Sequence, residues 1–303
     1  MRGFKLCSAV KTIIIILLPS FIYAAGRVDA DFLRVEPSAR TSGLSGAFCG
    51  VADDLSAVIF NPAGLVQLKH TSISLTHLSS FADTCIEYLG AGMPLGKGAA
   101  ALSIQCGYTL DFDEINEFGD KVGSVPNFDF VLTGSYGFYI MPQVSLGANI
   151  KGFYSKLYLY QKMGFAADAG LFVFLAHDPD TRAGLVLQNV GAQSAYISIS
   201  DPLPTNIKGG LSTKFKVKGF GNFLVAADVN RLVGKDETPT LDLGLEAEFY
   251  DMLVLRCGYG FRHDVSNISV GLGVLLQKIK FSYAYQPYDV LGAAHRITLD
   301  IEL

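Results

Sequence analysis

The chain has 303 residues, of which 50% are hydrophobic, 17% are charged and 32 are glycine, with no Trp and a formal net charge of −4. The charged share lies below the roughly 25% of an ordinary soluble domain, and glycine exceeds its usual share of about 7%. This balance excludes a nucleic-acid binder, because no basic patch stands out, and it suits a wall that keeps charge off one face and uses glycine where strands curve tightly.

Arg2, Lys5 and Lys11 flank a short apolar run at 13–18, and Ala24-Ala25-Gly26 supplies small residues. That is the pattern of a secretory signal peptide over 1–26. The run is too short to span a membrane, which takes about 20 apolar residues, and Pro19 interrupts it. No other stretch is long and apolar enough for a spanning helix, so a chain of this kind seated in a membrane has to be a closed barrel. Cys7 precedes the apolar run, away from a lipoprotein position, and Cys49, Cys85, Cys106 and Cys257 show no Cys-x-x-Cys spacing. No metal site is expected from them.

Residues 27–68 form a second section, a candidate hatch. Phe32-Leu33-Arg34-Val35 alternates briefly, and 39–52 is almost all small residues, broken by Arg40, Leu44, Phe48 and Val51. Their spacing of four, four and three predicts one face of a helix. Asp53-Asp54 and Asn61-Pro62 then mark turns. A small-residue helix lets neighbouring backbone approach closely, which suits packing inside a barrel lumen; an ordinary helix capping a soluble domain is the alternative.

From Thr71 the period changes to two. Leu241, Leu243, Leu245, Ala247 and Phe249 share one face, opposite Asp242, Gly244, Glu246 and Glu248. Ile297, Leu299, Ile301 and Leu303 alternate with Arg296, Thr298, Asp300 and Glu302 in the same way. The pattern predicts an all-β, transmembrane, antiparallel barrel over 69–303, with about 14 strands, near 70–79, 84–93, 98–109, 128–140, 144–156, 162–175, 181–189, 205–217, 221–232, 239–249, 252–261, 267–276, 279–287 and 294–303. Every second strand is followed by a tight turn, as at 94–97, 141–143 and 177–180, and most other connections are longer. Short turns at one end and longer loops at the other are the outer-membrane pattern. Without Trp, the aromatic girdles fall to Tyr and Phe.

The strand at 207–217 sends Lys208, Lys214 and Lys216 inward, the next Asp228, the third Asp242, Glu246 and Glu248, and the fourth Arg256 and Arg262. Opposite signs on adjacent strands pair favourably. The row is a polar pore, a charged dock for the front segment, or a self-neutralising wall. Cys85 and Cys106 lie nearly equidistant from the turn at 94–97, a register in which they face each other, either as a disulfide or as two unpaired apolar residues. No nucleophile elbow, dinucleotide loop or Walker loop is present, so neither an enzyme nor a cofactor is expected.

Residues 32–65, with Ala39-Arg40, Gly43, Gly46-Ala47, Val51-Ala52, Asp54, Ala57 and Asn61-Pro62-Ala63-Gly64-Leu65, resemble the front signature of the PorV/PorQ-like family. That group looks like a branch of the long-chain fatty acid transporter (FadL) family. The resemblance implies a fourteen-stranded barrel of a Gram-negative outer membrane with the N-terminal segment folded inside as a hatch. Asn61, Pro62, Ala63 and Gly64 correspond to the hatch motif, and Phe32, Phe48 and Phe60 are the candidate apolar surface for a ligand. The resemblance further implies passive uptake of hydrophobic small molecules such as fatty acids, with membrane lipid and a hydrophobic ligand as partners. The PorV branch implies instead a barrel that helps deliver secreted proteins to the cell surface, as in type IX secretion, with a secreted-protein partner.

Overall fold

Period-two alternation puts every second side chain on the same face, so a run of such strands can curl into a tube with lipid outside and polar groups within. The computed structural model, which describes residues 30–109, 113–125, 127–196, 201–233, 238–263 and 266–303, has that form. The expected signal peptide at 1–26 lies outside the described residues.

The described chain opens with a 3-10 turn (Asp31–Arg34), the short helices α1 (Ala39–Gly43) and α2 (Ala57–Phe60), and a 3-10 helix (Pro62–Gln67). Strands follow in the order β1 (Ser72–Ser79), β2 (Thr84–Leu95), β3 (Gly98–Thr109), β4 (Asp113–Ile115), β5 (Lys121–Ser124), β6 (Asn127–Met141), β7 (Val144–Leu157), β8 (Tyr160–His177), β9 (Asp180–Gln193), β10 (Asn206–Val217), β11 (Gly221–Leu232), β12 (Thr240–Phe249), β13 (Leu253–Phe261), β14 (Ile268–Leu276), β15 (Ile279–Pro287) and β16 (Ala293–Glu302). Fourteen of them pair antiparallel into one closed barrel, while β4 and β5 form a separate ribbon within the connection from β3 to β6. Turns of two or three residues join β2–β3, β6–β7, β8–β9, β10–β11, β12–β13 and β14–β15 at one end. The opposite end carries the longer connections, except that 158–159 joins β7 to β8 tightly where both strands run on beyond their neighbours.

Apolar side chains face outward, among them Leu102, Ile150, Phe165, Leu211, Leu245 and Ile297. The inner face carries the polar set and glycine. The seam is closed by β1 and β16, from Ser72↔Glu302 to Ser79↔His295. At its middle Thr76 and Thr298 share a hydrogen bond between their hydroxyls at 2.8 Å, and the Thr298 hydroxyl also accepts from Ala39 N at 2.9 Å.

Residues 30–68 pack inside this wall. Leu55, Val58, Ala63 and Leu65 meet Ala99, Ala101 and Phe172 on one side, and Leu44, Phe48, Val51 and Phe60 meet Leu224 and Ala226 on the other. Two local expectations fail here. The helix predicted over 39–52 ends at Gly43, because Ser45 and Gly46 turn into the left-handed region at φ of 55° and 80°. The brief alternation at 32–35 is a 3-10 turn. The chain winds instead of spiralling, and at its points of closest approach the wall carries glycine. A Cβ on Gly147 would collide with Ala63 N, on Gly170 with the Asn61 carboxamide, on Gly184 with Cys49 O and on Gly258 with Ser45 N. The glycine excess therefore serves close approach of the segment more than curvature of the strands.

The Cys85–Cys106 expectation is also corrected. The β2–β3 turn is the pair Gly96-Lys97, with Leu95 opposite Gly98, so Cys85 faces Tyr108 and Cys106 faces Glu87. The two thiols stand two positions out of register, and the four described cysteines are free.

Candidate functional site

The segment's fastening begins at Asn61. Its Oδ1 accepts from Ala63 N at 3.1 Å, which caps the 3-10 helix beginning at Pro62. Proline suits that first position, where no N–H is needed. Its Nδ2 donates to Leu171 O on β8 at 3.0 Å and to Cys49 O at 3.4 Å. One buried carboxamide thus joins the turn, the earlier loop and the barrel wall. Gly64 packs against Ala52, where a Cβ would collide. From the wall, Ser145 Oγ donates to Ala63 O at 2.8 Å, Asn149 Nδ2 to Val58 O at 2.7 Å and Gln188 Nε2 to Ile59 O at 2.7 Å. The last two satisfy carbonyls of α2, Val58 O and Ile59 O, that have no helical partner.

Arg40 is the electrostatic hub. Nε and Nη2 donate to the two oxygens of Glu246, each at 2.9 Å, and Nη1 meets Asp53 and Asp54, each at 2.7 Å. Its guanidinium lies 5.3 Å from the centre of the Phe48 ring. Burial alone would lower the Arg40 pKa, but Asp53, Glu246 and Asp54 hold it well above its ordinary value. Burial likewise works to raise Asp53, yet Arg40, Lys214 and Arg182 hold that carboxyl far below the usual carboxylate range.

The other inward charges divide between segment and wall. Lys214 pairs with Asp53, Lys208 Nζ lies 3.4 Å from Glu36, and Arg256 Nε bonds Glu246 at 2.7 Å. Asp228 accepts from Phe48 N at 2.9 Å and from Cys49 N at 2.7 Å. Asp242 bonds Nε2 of His263 at 2.6 Å, and Glu248 accepts from Asn222 at 3.1 Å. Phe48 and Phe60 form an edge-to-face pair with centroids 5.4 Å apart, and Lys208 Nζ lies 4.4 Å above Phe60. Phe48 is wholly buried and offers no surface to a ligand in this arrangement. Phe32 packs edge-to-face on Phe153 at 5.7 Å. The contributions of Arg182, Asn149, Gln188 and Arg296 are missed by sequence reasoning, because a polar residue on an alternating strand carries no sign of which backbone group it will meet. Arg40 did leave a sign: it is the only charge in the small-residue run 38–52.

Three cavities adjoin the segment. The largest, about 810 Å³, lies toward the short-turn end among Arg40, Asp53, Lys214, Glu248, Lys280 and Glu302. One of about 340 Å³ lies toward the long-loop end among Glu36, Phe60, Lys208, Asp242, His263 and Arg296. A space of about 30 Å³ lies between the segment and β2, β3 and β6, beside Val35, Val58, Ile59, Tyr88 and Val131. Residues 47–52, buried throughout, lie between the two larger ones.

The closed barrel of fourteen strands has the fold of solved FadL-like barrels. It is similar to the Ralstonia pickettii toluene transporter TbuX, at TM-score 0.60 and 13% identity over 87% of this chain and 96% of that one. It is also similar to the CymD monoaromatic hydrocarbon channel, at 0.57 and 13% over 88% and 96%, and to a Pseudomonas aeruginosa FadL homologue, at 0.55 and 11% over 88% and 98%. At such identities the likeness is one of fold. The chain belongs to the uncharacterised protein family UPF0164, whose model matches residues 22–300. Two UPF0164 proteins of Treponema pallidum (strain Nichols) are 22% identical over 82% of this chain and 27% identical over 54% of it. The chain spans about three-fifths of the length of the first (62%) and less than half of the second (43%).

Proposed function

We propose that this protein is an outer-membrane barrel of the FadL type that passes hydrophobic small molecules, fatty acids among the candidates, with the segment at 30–68 as its hatch. The observation that carries the reading is the fit of that segment to the lumen: wall glycines where its backbone comes closest, Asn61 bonded to β8, and Arg40 clamped by three carboxylates. A wall shaped to a removable insert is what a gated barrel needs, and it has no use in an open porin. The toluene transporters and hydrocarbon channel of similar fold support the hydrophobic class of cargo. The long-loop end then faces outside the cell and the short-turn end the periplasm. Delivery of secreted proteins draws no comparable feature from the geometry.

Loss of the Asn61 tether tests the reading. Reconstituted in proteoliposomes, the unaltered barrel should admit labelled toluene or a labelled fatty acid faster than protein-free vesicles do, and Asn61→Ala, which removes the bond to Leu171 O on β8, should change that rate. Influx at the level of protein-free vesicles in both would remove the transport reading.

A further inference from the structure

The outer face of the barrel is uneven around its circumference. β6 has 15 residues and β8 has 18, and their outward positions carry only apolar, aromatic or glycine residues from Phe128 to Phe138 and from Met163 to Val173. β1 has 8 residues and β16 has 10. Their outward apolar runs are short: Ile73 and Leu75 on β1, and Ile297, Leu299 and Ile301 on β16. Two residues advance a strand by about 6.6 Å, which a tilt of about 40° reduces to about 5 Å of height. The runs therefore reach about 10–15 Å, side chains included, where an ordinary lipid-facing band stands about 25 Å tall.

Nearer the long-loop end the wall over the seam reverses its polarity. The inward side chains Leu78, Ile86 and Ala294 form an apolar cluster with Val35 and Tyr288. The outward side chains next to them are His77, Glu87 and His295, with His77 and Glu87 each close to half exposed. Glu87 Oε1 meets His77 Nδ1 at 2.8 Å and accepts from the Tyr108 hydroxyl at 3.1 Å. His295 Nδ1 lies 2.8 Å from the Tyr283 hydroxyl. His77 stands opposite Ile297 and His295 opposite Ser79, which makes the two imidazoles diagonal neighbours across the seam. Among the described residues, Glu87 Oε2 and the Nε2 of both imidazoles have no hydrogen-bond partner.

Polar groups of this kind are costly against hydrocarbon and tolerated where headgroups lie. The open carboxylate oxygen of Glu87 accepts from an ammonium group. With Nδ1 accepting from Tyr283, His295 presents Nε2–H, a donor to a phosphate oxygen. Together they match the two ends of a zwitterionic headgroup. We infer that the outer face of β16, β1 and β2 receives the phosphate–ammonium headgroups of a phospholipid, so that the membrane surface dips over the closing seam relative to β6 and β8. Bilayers meet a short apolar band by thinning, at modest cost. The inference rests on the barrel's seat in a bilayer and goes beyond the transport reading, since it concerns the wall and not the lumen.

The test uses the full mature barrel in vesicles of dioleoylphosphatidylethanolamine and dioleoylphosphatidylcholine. Cys106 faces outward opposite Glu87, and Cys49 is wholly buried, so with Cys85→Ser and Cys257→Ser a thiol-reactive fluorophore reports from Cys106. A nitroxide on the lipid headgroup should quench it about twofold more than a nitroxide at mid-chain. The triple variant His77→Leu, Glu87→Leu, His295→Leu should reverse that order, as acyl chains rise over the patch. A fluorophore on Ala169→Cys, within the apolar run of β8, should be quenched mainly from mid-chain in either background. If the triple variant does not fold, the order at Cys106 beside the unaltered patch still decides. Mid-chain quenching dominant at Cys106, or an order that the folded triple variant leaves unchanged, overturns the inference and leaves hydrophobic transport standing. Shielding of Cys106 from both nitroxides, with two chains cross-linked through it, overturns it in favour of a second copy of the chain on this face. Absence of mid-chain quenching at Ala169→Cys overturns it together with the seat in the bilayer.

Discussion

At the scale of single residues, the segment is held by few groups, and each is exposed to a specific perturbation. Asp53 is the clearest case. A carboxyl depressed in the folded protein contributes stability above its unfolded pKa of about 3.9 and loses that contribution as pH falls toward the folded value. The docked segment is therefore expected to resist proteolysis at pH 7 and to become cleavable progressively below about pH 4. Removing Arg40 takes one cation from Asp53 and Glu246, which keep Lys214 and Arg256, and takes from Asp54 its cation; loss of one partner from a buried ion pair costs up to about 3–5 kcal/mol. Arg40→Ala should accordingly lower the melting temperature and expose residues 30–68 to protease even at neutral pH. A variant with the parent's melting temperature and the parent's cleavage profile would contradict the hub role. The sequence made Asn61 visible as a turn former and cap candidate, since Asn-Pro announces a turn. Its second function, the bond to Leu171 O across 110 residues of sequence, had no local trace.

At the scale of elements, the alternating strands were the most legible part of the chain. The segment predicted near 239–249 is Thr240–Phe249, and that near 279–287 is Ile279–Pro287. Strong period-two patterns between tight turns leave little freedom. Register was less legible: one residue's difference in where a turn is centred moves a pairing by two, which is the fate of Cys85 and Cys106. The ribbon β4–β5 escaped notice because its apolar residues, Ile115 and Val122, stand singly among polar neighbours. The winding path of 39–52 escaped because helical spacing over three intervals also fits a chain of small turns. Several inner-wall glycines serve close approach of the segment, a role that their count in the sequence does not disclose. Their role gives an element-scale prediction. Gly147→Ala and Gly170→Ala each place a methyl group where the segment's backbone or the Asn61 carboxamide now lies. Overpacking of this kind typically costs about 1–3 kcal/mol. Each variant should keep the circular dichroism of the barrel while the segment becomes protease-sensitive at pH 7. Unchanged protection in both would mean that the contact is loose enough to absorb a methyl group.

At the scale of the whole molecule, the barrel presents an apolar exterior and a lumen divided into a larger compartment toward the short turns and a smaller one toward the long loops. The larger compartment is lined by charges of both signs, so it is an aqueous space poorly suited to hold an apolar molecule. The division depends on residues 47–52 and their neighbours. Reconstituted in planar bilayers, the intact chain should conduct ions weakly, and a variant lacking residues 30–68 should open steady, large conductance. Equal conductance in the two would show that the segment does not seal the lumen. The closed tube and its filled interior could be read from the sequence as an architecture. The compartments could not, because their shapes arise from side chains that come together from strands far apart in the chain.

The Thr298 hydroxyl has a bearing on how such a molecule is made. It meets Thr76 across the closing seam and Ala39 of the inner segment at the same time. The seam joins β1, which directly follows the segment, to β16, which follows the other described strands in the chain. A tube zipped shut while empty would offer no simple route by which the segment could be threaded to that depth against a wall it touches so closely. The expected order of assembly is that the front of the chain lies folded against the growing sheet as a mandrel, and β16 closes around it.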